Sequence, residues 1–293
     1  MILFQSVSDF KITDEFHDKT GIKLNLLVSK ANLPSGLSKM LTTHRDRFGL
    51  IALDSGAYSA STGKASISVY EYALFLKKYG DLFDLCFSLD DRFDDPEHNH
   101  ENQRILEEAL EDKSWKPVPV VHDPNDPYEE FKMYVELGHD YIALGSKGES
   151  NIPQSILGKI RKDFPDVKIH VFGTLKFEML KKHRPESADS TTWAKQAGKG
   201  GSVFYWRPEE NKSYSFNVGG RDSKVKEKNH IKKSPFYDEM MDFWDRQLGY
   251  TYDMMVSNPK VRYIINLYHY SQMEAYLNSS ESIPQKTRKK GRK

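Results

Sequence analysis

Six short apolar runs each end on an acidic, polar or glycine residue: LIALD at Asp54, LCFSLD at Asp90, VPVVH at His122, YIALG at Gly145, KIHVFG at Gly173 and ESAD at Asp189. A loop and usually a helical stretch follow each one, which is the βα rhythm of a parallel sheet. Two earlier runs, Ile2–Ser6 and Leu24–Ser29, raise the strand count to eight. The expected fold is therefore α/β, a (β/α)8 TIM-type barrel. Such a barrel gathers all strand C-terminal ends on one face, where active sites form. Residues as far apart as Asp54 and Asp189 would then share a pocket. Three carboxylates at strand ends point to acid/base or nucleophilic chemistry.

Helix signals fill the intervals. Ser68 and Glu71 are spaced as a capping box before VYEYALFLKKY, with Gly80 at its end. Asp126, Pro127 and Glu129 repeat the device, with Gly138 as the stop. Gln103–Leu110, Pro153–Phe164 and Leu175–His183 carry helical spacing. After Asp189 the rhythm changes. Ser202–Trp206 and Ser213–Val218 predict a hairpin, and the helices Pro235–Met255 and Pro259–Leu277 should pack on the barrel. The expected organisation is a catalytic barrel over 1–200, a hairpin and basic linker over 201–233, helices over 234–280 and a disordered basic tail over 281–293.

The chain has 293 residues, enough for one barrel with a sizeable core. Its one cysteine, Cys86, lies in an apolar run and excludes disulfides and any cysteine-rich zinc site. No run has membrane-spanning length and no leader is visible, so a soluble, cytoplasmic chain is expected. A net charge of +1 conceals an asymmetry. Residues 191–233 hold ten Lys and Arg against four Asp and Glu, and Lys286–Lys293 add six more cations. Basic charge concentrated late in the chain suits a partner with a phosphate backbone; a solvated loop and tail would carry the same charges.

Each candidate residue has a plainer alternative. Asp54 opens DSGAYS, where small residues let a ligand ring approach the backbone, yet Asp, Ser and Gly are also ordinary turn formers. Asp90 or Asp91 could accept hydrogen bonds from a ligand N–H edge. Asp94, Asp95, His98 and His100 crowd nearby in a polar loop without ligand-like periodicity, so no metal is expected. Asp189 could pair with a second carboxylate as in glycosyl transfer, one attacking the anomeric carbon and the other moving protons. It could instead cap the next helix. His122 could donate to a base edge or merely close its strand. Gly145 and Gly173 could admit a flat ring or simply form turns.

Together these runs resemble the tRNA-guanine transglycosylase superfamily. DSGAYS at 54–59 is similar to its Asp-Ser-Gly-Gly-Phe/Tyr-Gln motif, SLDD at 88–91 to the strand with the base-recognising aspartate, and YIALGS at 141–146 to its guanine-binding loop. SADS at 187–190 falls where its nucleophile sits, and NLYHYSQMEAYL at 266–277 is similar to its final helix. The resemblance runs in order over roughly residues 1–280. There are departures. The chain cannot build the three-Cys, one-His zinc site of the tRNA enzymes, His122 stands where a base-reading glutamine is expected, and Ser59 replaces the motif's glutamine. These features look like the compact DpdA-type DNA 7-deazaguanine transglycosylases of phages and bacteria.

The resemblance implies that Asp189 attacks C1′ and Asp54 is the general acid/base. Asp90 would bind the N1–H and exocyclic amine edge, with Ser55, His122, Gly145 and Gly173 around it and Tyr58 stacked on the ring. Lys195, Lys199, Arg221, Lys224, Lys226 and Lys228 would clamp the polymer backbone. The implied partners are DNA and a free 7-deazaguanine such as 7-cyano-7-deazaguanine. No cofactor is implied, because one glycosidic bond replaces another. The same exchange on tRNA, or a non-catalytic nucleic-acid-binding subunit, are the alternatives.

Overall fold

The structure, a computed structural model, describes residues 1–33, 37–57, 67–123, 125–145, 154–198, 201–219 and 229–279. Eight parallel strands form one curled sheet: β1 (Ile2–Val7), β2 (Asn25–Ser29), β3 (Ile51–Asp54), β4 (Leu85–Cys86), β5 (Val120–Val121), β6 (Tyr141–Leu144), β7 (Lys168–Val171) and β8 (Ser187–Ser190). Their order is β4-β3-β2-β1-β8-β7-β6-β5, so chain neighbours other than β4 and β5 are also sheet neighbours and β8 lies against β1. Among the described residues, the terminal strands β4 and β5 share no full ladder. A single parallel bridge between Phe87 and Val118 links them, with Ser88 N donating to Val118 O at 2.9 Å and Val118 N to Cys86 O at 2.8 Å.

Strand residues alternate between two cores, as a sheet period of two requires. Phe4, Leu27, Ala52, Phe87, Val120 and Ala143 pack together inside the curl. Their strand neighbours Leu3, Leu26, Ile51, Leu53, Ile142, Ile169 and Ala188 join the larger core shared with the helices. Both faces are buried, so the strands read as nearly continuous apolar runs. Inward polar residues therefore stand out, and they cluster toward the strand C-terminal ends.

Helices alternate with the strands: α1 (Phe10–Thr20), α2 (Leu37–Thr43), α3 (Val69–Tyr79), α4 (Pro96–Ala109), α5 (Pro127–Glu136), α6 (Gln154–Asp163), α7 (Phe177–His183) and α8 (Thr192–Gly198). The Ser68 capping box is complete, with Glu71 N donating to Ser68 Oγ at 3.1 Å and Ser68 N to Glu71 Oε2 at 3.3 Å. Asp126 caps α5 through Glu129 N at 3.2 Å. One expectation fails here. α4 begins at Pro96, seven residues earlier than its apolar spacing suggests, because Asp95 accepts from His98 N at 3.0 Å and starts the helix. The polar stretch holding His98 and His100 is thus a helix start, not a loop.

β9 (Ser202–Arg207) and β10 (Lys212–Asn217) form the expected antiparallel hairpin. The next expected helix is two: α9 (Tyr237–Leu248) and α10 (Tyr252–Ser257). Gly249 ends α9 at φ 65°, and Thr251 caps α10. The last helix, α11 (Pro259–Asn278), fastens the extension to the barrel through buried polar side chains. Asn266 accepts from Phe204 N at 2.8 Å and donates to Trp193 O at 3.1 Å and Ser202 O at 3.2 Å. At the opposite end Glu274 accepts from Leu3 N at 3.1 Å and Asn25 Nδ2 at 2.7 Å. Cys86 is buried in β4, which pushes its thiol up to about 12. Among the described residues, no helix is long and apolar enough to cross a membrane.

Candidate active site

Asp54, Asp90 and Asp189 converge at the C-terminal ends of β3, β4 and β8, as the strand-end pattern predicts. The charges of Asp90 and Asp189 both act on Asp54. The turn after β3 holds Asp54: Gly56 N donates to its Oδ2 at 3.1 Å. Gly56 has φ 89°, and a Cβ there would lie 2.5 Å from Ala31 Cβ and 2.8 Å from Ser29 Oγ, so only glycine fits. Burial, followed by the two neighbouring carboxylates, pushes the Asp54 carboxyl up to about 7.

Asp189 has a different environment. Its Oδ2 accepts from Ser6 Oγ at 2.6 Å and its Oδ1 from Gly173 N at 2.8 Å. Gly173 thus serves as an N–H donor to this carboxylate. Ser190 Oγ accepts from Thr192 N at 3.0 Å just before the next helix. Ser6 is itself fixed by Trp193, whose indole N–H donates to Ser6 O at 3.2 Å.

Of the aspartate pair after β4, Asp90 faces the site. It accepts from Ser55 Oγ at 3.2 Å and is bonded to His122 Nε2. Asp91 turns away to α4, 3.0 Å from His98 Nε2 and 2.9 Å from Asn102 Nδ2. Glu130 on α5 receives the backbone N–H groups of His122 and Asp123 at 2.9 and 2.7 Å, and burial raises its carboxyl above the ordinary range. The His122 ring packs on Phe93 at a centroid distance of 4.5 Å and lies against Gly145. A Cβ at Gly145 would sit 2.1 Å from His122 Cε1. In this state the His122 ring fills the space beside Gly145 that a ligand ring would need.

Lys195 is exposed on α8, directly after β8. Tyr58, Lys199, Arg221, Lys224, Lys226, Lys228 and the tail over 281–293 lie outside the described residues. Among the described residues, no group of three or more His, Cys, Asp or Glu could hold a metal ion. Two site residues escape the strand-end pattern, His170 and Glu130; Ser6 closes the first run, Ile2–Ser6. His170 was detectable as a polar residue within an otherwise apolar stretch. Glu130 carries no such signal, being one of two adjacent glutamates on a helix. No protein-family model and no curated protein matches this chain.

Proposed function

We propose that the protein is a DNA-guanine transglycosylase that exchanges guanine for a 7-deazaguanine, such as 7-cyano-7-deazaguanine, through a covalent aspartyl-glycosyl intermediate. The observation that carries this reading is the contrast between two carboxylates on one barrel face. Asp189 receives a donor on each oxygen, which fixes the carboxylate in place for attack, whereas Asp54 is pushed up to about 7 and can carry a proton near neutrality. Two carboxylates set apart by their surroundings make an acid and a nucleophile available together.

In the first displacement an Asp189 oxygen attacks C1′. The C1′–N9 bond breaks, its electron pair passes to guanine, and Asp54 gives that base a proton. In the second, Asp54 takes the N9 proton of the incoming base, whose freed electron pair attacks C1′. The C1′–O bond breaks and its pair returns to Asp189. Two inversions at one carbon retain configuration.

Asp90 is suited to bind adjacent N–H donors, because an ionised carboxylate is acceptor-only. Its present partners are His122 and Ser55, so base entry requires the His122 ring to turn away and expose Gly145. DNA is favoured as polymer because the late basic segments are short and concentrated, and a base extruded from duplex DNA reaches a barrel mouth.

Incubation with labelled 7-cyano-7-deazaguanine and either plasmid DNA or tRNA tests the proposal. Label in DNA but not tRNA is expected. Label in tRNA alone would reassign the polymer, and label in neither would overturn the transglycosylase reading.

A further inference from the structure

Asp189 has a third neighbour. His170, inward on β7, places Nε2 3.6 Å from Asp189 Oδ1, and among the described residues this nitrogen has no hydrogen-bond partner although the residue is fully buried. Its Nδ1 lies 2.6 Å from Ser187 Oγ, which lies 2.7 Å from Tyr141 Oη. Phe87 and Phe172 enclose the ring at centroid distances of 4.5 and 4.4 Å. A space walled by phenylalanines would be filled at lower cost by another apolar side chain, since an unpaired buried nitrogen is unfavourable.

We infer that His170 is a positioning residue for Asp189, presenting an Nε2 proton to Oδ1 and stabilising the carboxylate when Asp189 bears its full charge. Burial holds the imidazole below its ordinary range, so the ring is neutral and carries one proton. Two arrangements of the chain exist. With the proton on Nδ1, the ring donates to Ser187 and turns a lone pair toward a carboxylate, which is repulsive. With the proton on Nε2, Tyr141 donates to Ser187, Ser187 donates to Nδ1, and the remaining N–H faces Asp189. The Asp189 charge selects the second. A separation of 3.6 Å is long for a hydrogen bond, and such contacts commonly tighten in the reacting complex.

The kinetic consequence rests on the transglycosylase reading. Asp189 is the nucleophile in the first displacement and the leaving group in the second. Removing a donor takes away stabilisation that the departing carboxylate needs, which spares its attack but slows its departure. In His170→Phe, shaped to fit among its aromatic neighbours, resolution of the covalent adduct should slow roughly 10–100-fold, the worth of a hydrogen bond to a charged group. Adduct formation should change far less, and adduct should accumulate. His170→Gln, which keeps an N–H, should restore part of the resolution rate.

Two measurements test this. Imidazole 15N shifts of the full-length protein, with the His170 signal assigned by its loss in His170→Gln, should show a neutral ring protonated at Nε2. Protonation at Nδ1 would overturn the proposal whether or not the protein exchanges bases. Single-turnover gels should show accumulated adduct in His170→Phe and partial rescue in His170→Gln. Equal slowing of both displacements, or no difference between the two variants, would overturn it. If the wild type labels no polymer, the transglycosylase reading falls and the tautomer still decides the role of His170.

Discussion

The imidazole of His122 occupies the space that a side chain at Gly145 would need, 2.1 Å from the Cβ position. The two residues sit on β5 and β6 extensions, where Gly145 N donates to Val121 O at 2.9 Å, so the backbone cannot easily withdraw. Gly145→Ala should therefore push His122 off Asp90. The expected cost is about 1–3 kcal/mol, the usual range for overpacking a filled interior. Urea denaturation of the variant checks this, and unchanged stability would mean the ring has free room to move.

Glu274 couples the last helix to the strand N-terminal ends, and burial pushes its carboxyl from the ordinary 4.5 up to about 7. The folded protein therefore keeps a proton that the unfolded chain releases at lower pH. Stability from this group falls as pH rises between those two values, and the full penalty is present above about 7. Glu274→Gln removes that titration. Its loss of stability between pH 5 and pH 8 should be smaller than the wild type's by about 1–3 kcal/mol. Parallel pH profiles from denaturant unfolding would contradict the expectation.

Asn266 makes three buried hydrogen bonds that join α11, α8 and β9. Asn266→Leu removes the acceptor of the buried Phe204 N–H and the amide that donates to the Trp193 and Ser202 carbonyls. A loss of roughly 2–4 kcal/mol is expected from unpaired buried groups. Because α8 carries Trp193, whose indole fixes Ser6, base exchange should also fall at temperatures where the variant remains folded. A thermal melt beside an exchange assay separates the two effects.

Asp54, pushed up to about 7, should give guanine release a pH dependence centred near that value. Release needs the protonated form, so its rate should drop as pH rises through about 7 and level off below it. Asp54→Asn should abolish this inflection. Single-turnover release of labelled guanine between pH 5.5 and 9 would show it.

The convergence of Asp54, Asp90 and Asp189 was legible because each closes an apolar run, and a parallel α/β sheet brings such ends to one face. Parity within a strand also marked His170, a polar residue between Ile169 and Val171 that points inward. Other features depend on contacts no local pattern encodes. The choice between Asp90 and Asp91 was set by Asn102 and His98 on α4, which hold Asp91 away from the site. The His122 packing on Gly145 is a contact between strands, invisible to spacing along either. The break between α9 and α10 came from Gly249 and the Thr251 cap, within a stretch of continuous helical composition.

The central claim is that Asp189 forms the covalent bond and Asp54 moves the proton. A denaturing gel of protein incubated with guanine-containing DNA tests it most directly. Asp189→Ala should give no shifted covalent band under any condition. Asp54→Asn should still form the band, slowed by about 10²–10⁴-fold, the usual worth of general acid catalysis. A covalent band from Asp189→Ala, with none from Asp54→Asn at any time, would contradict the assignment of the two carboxylates.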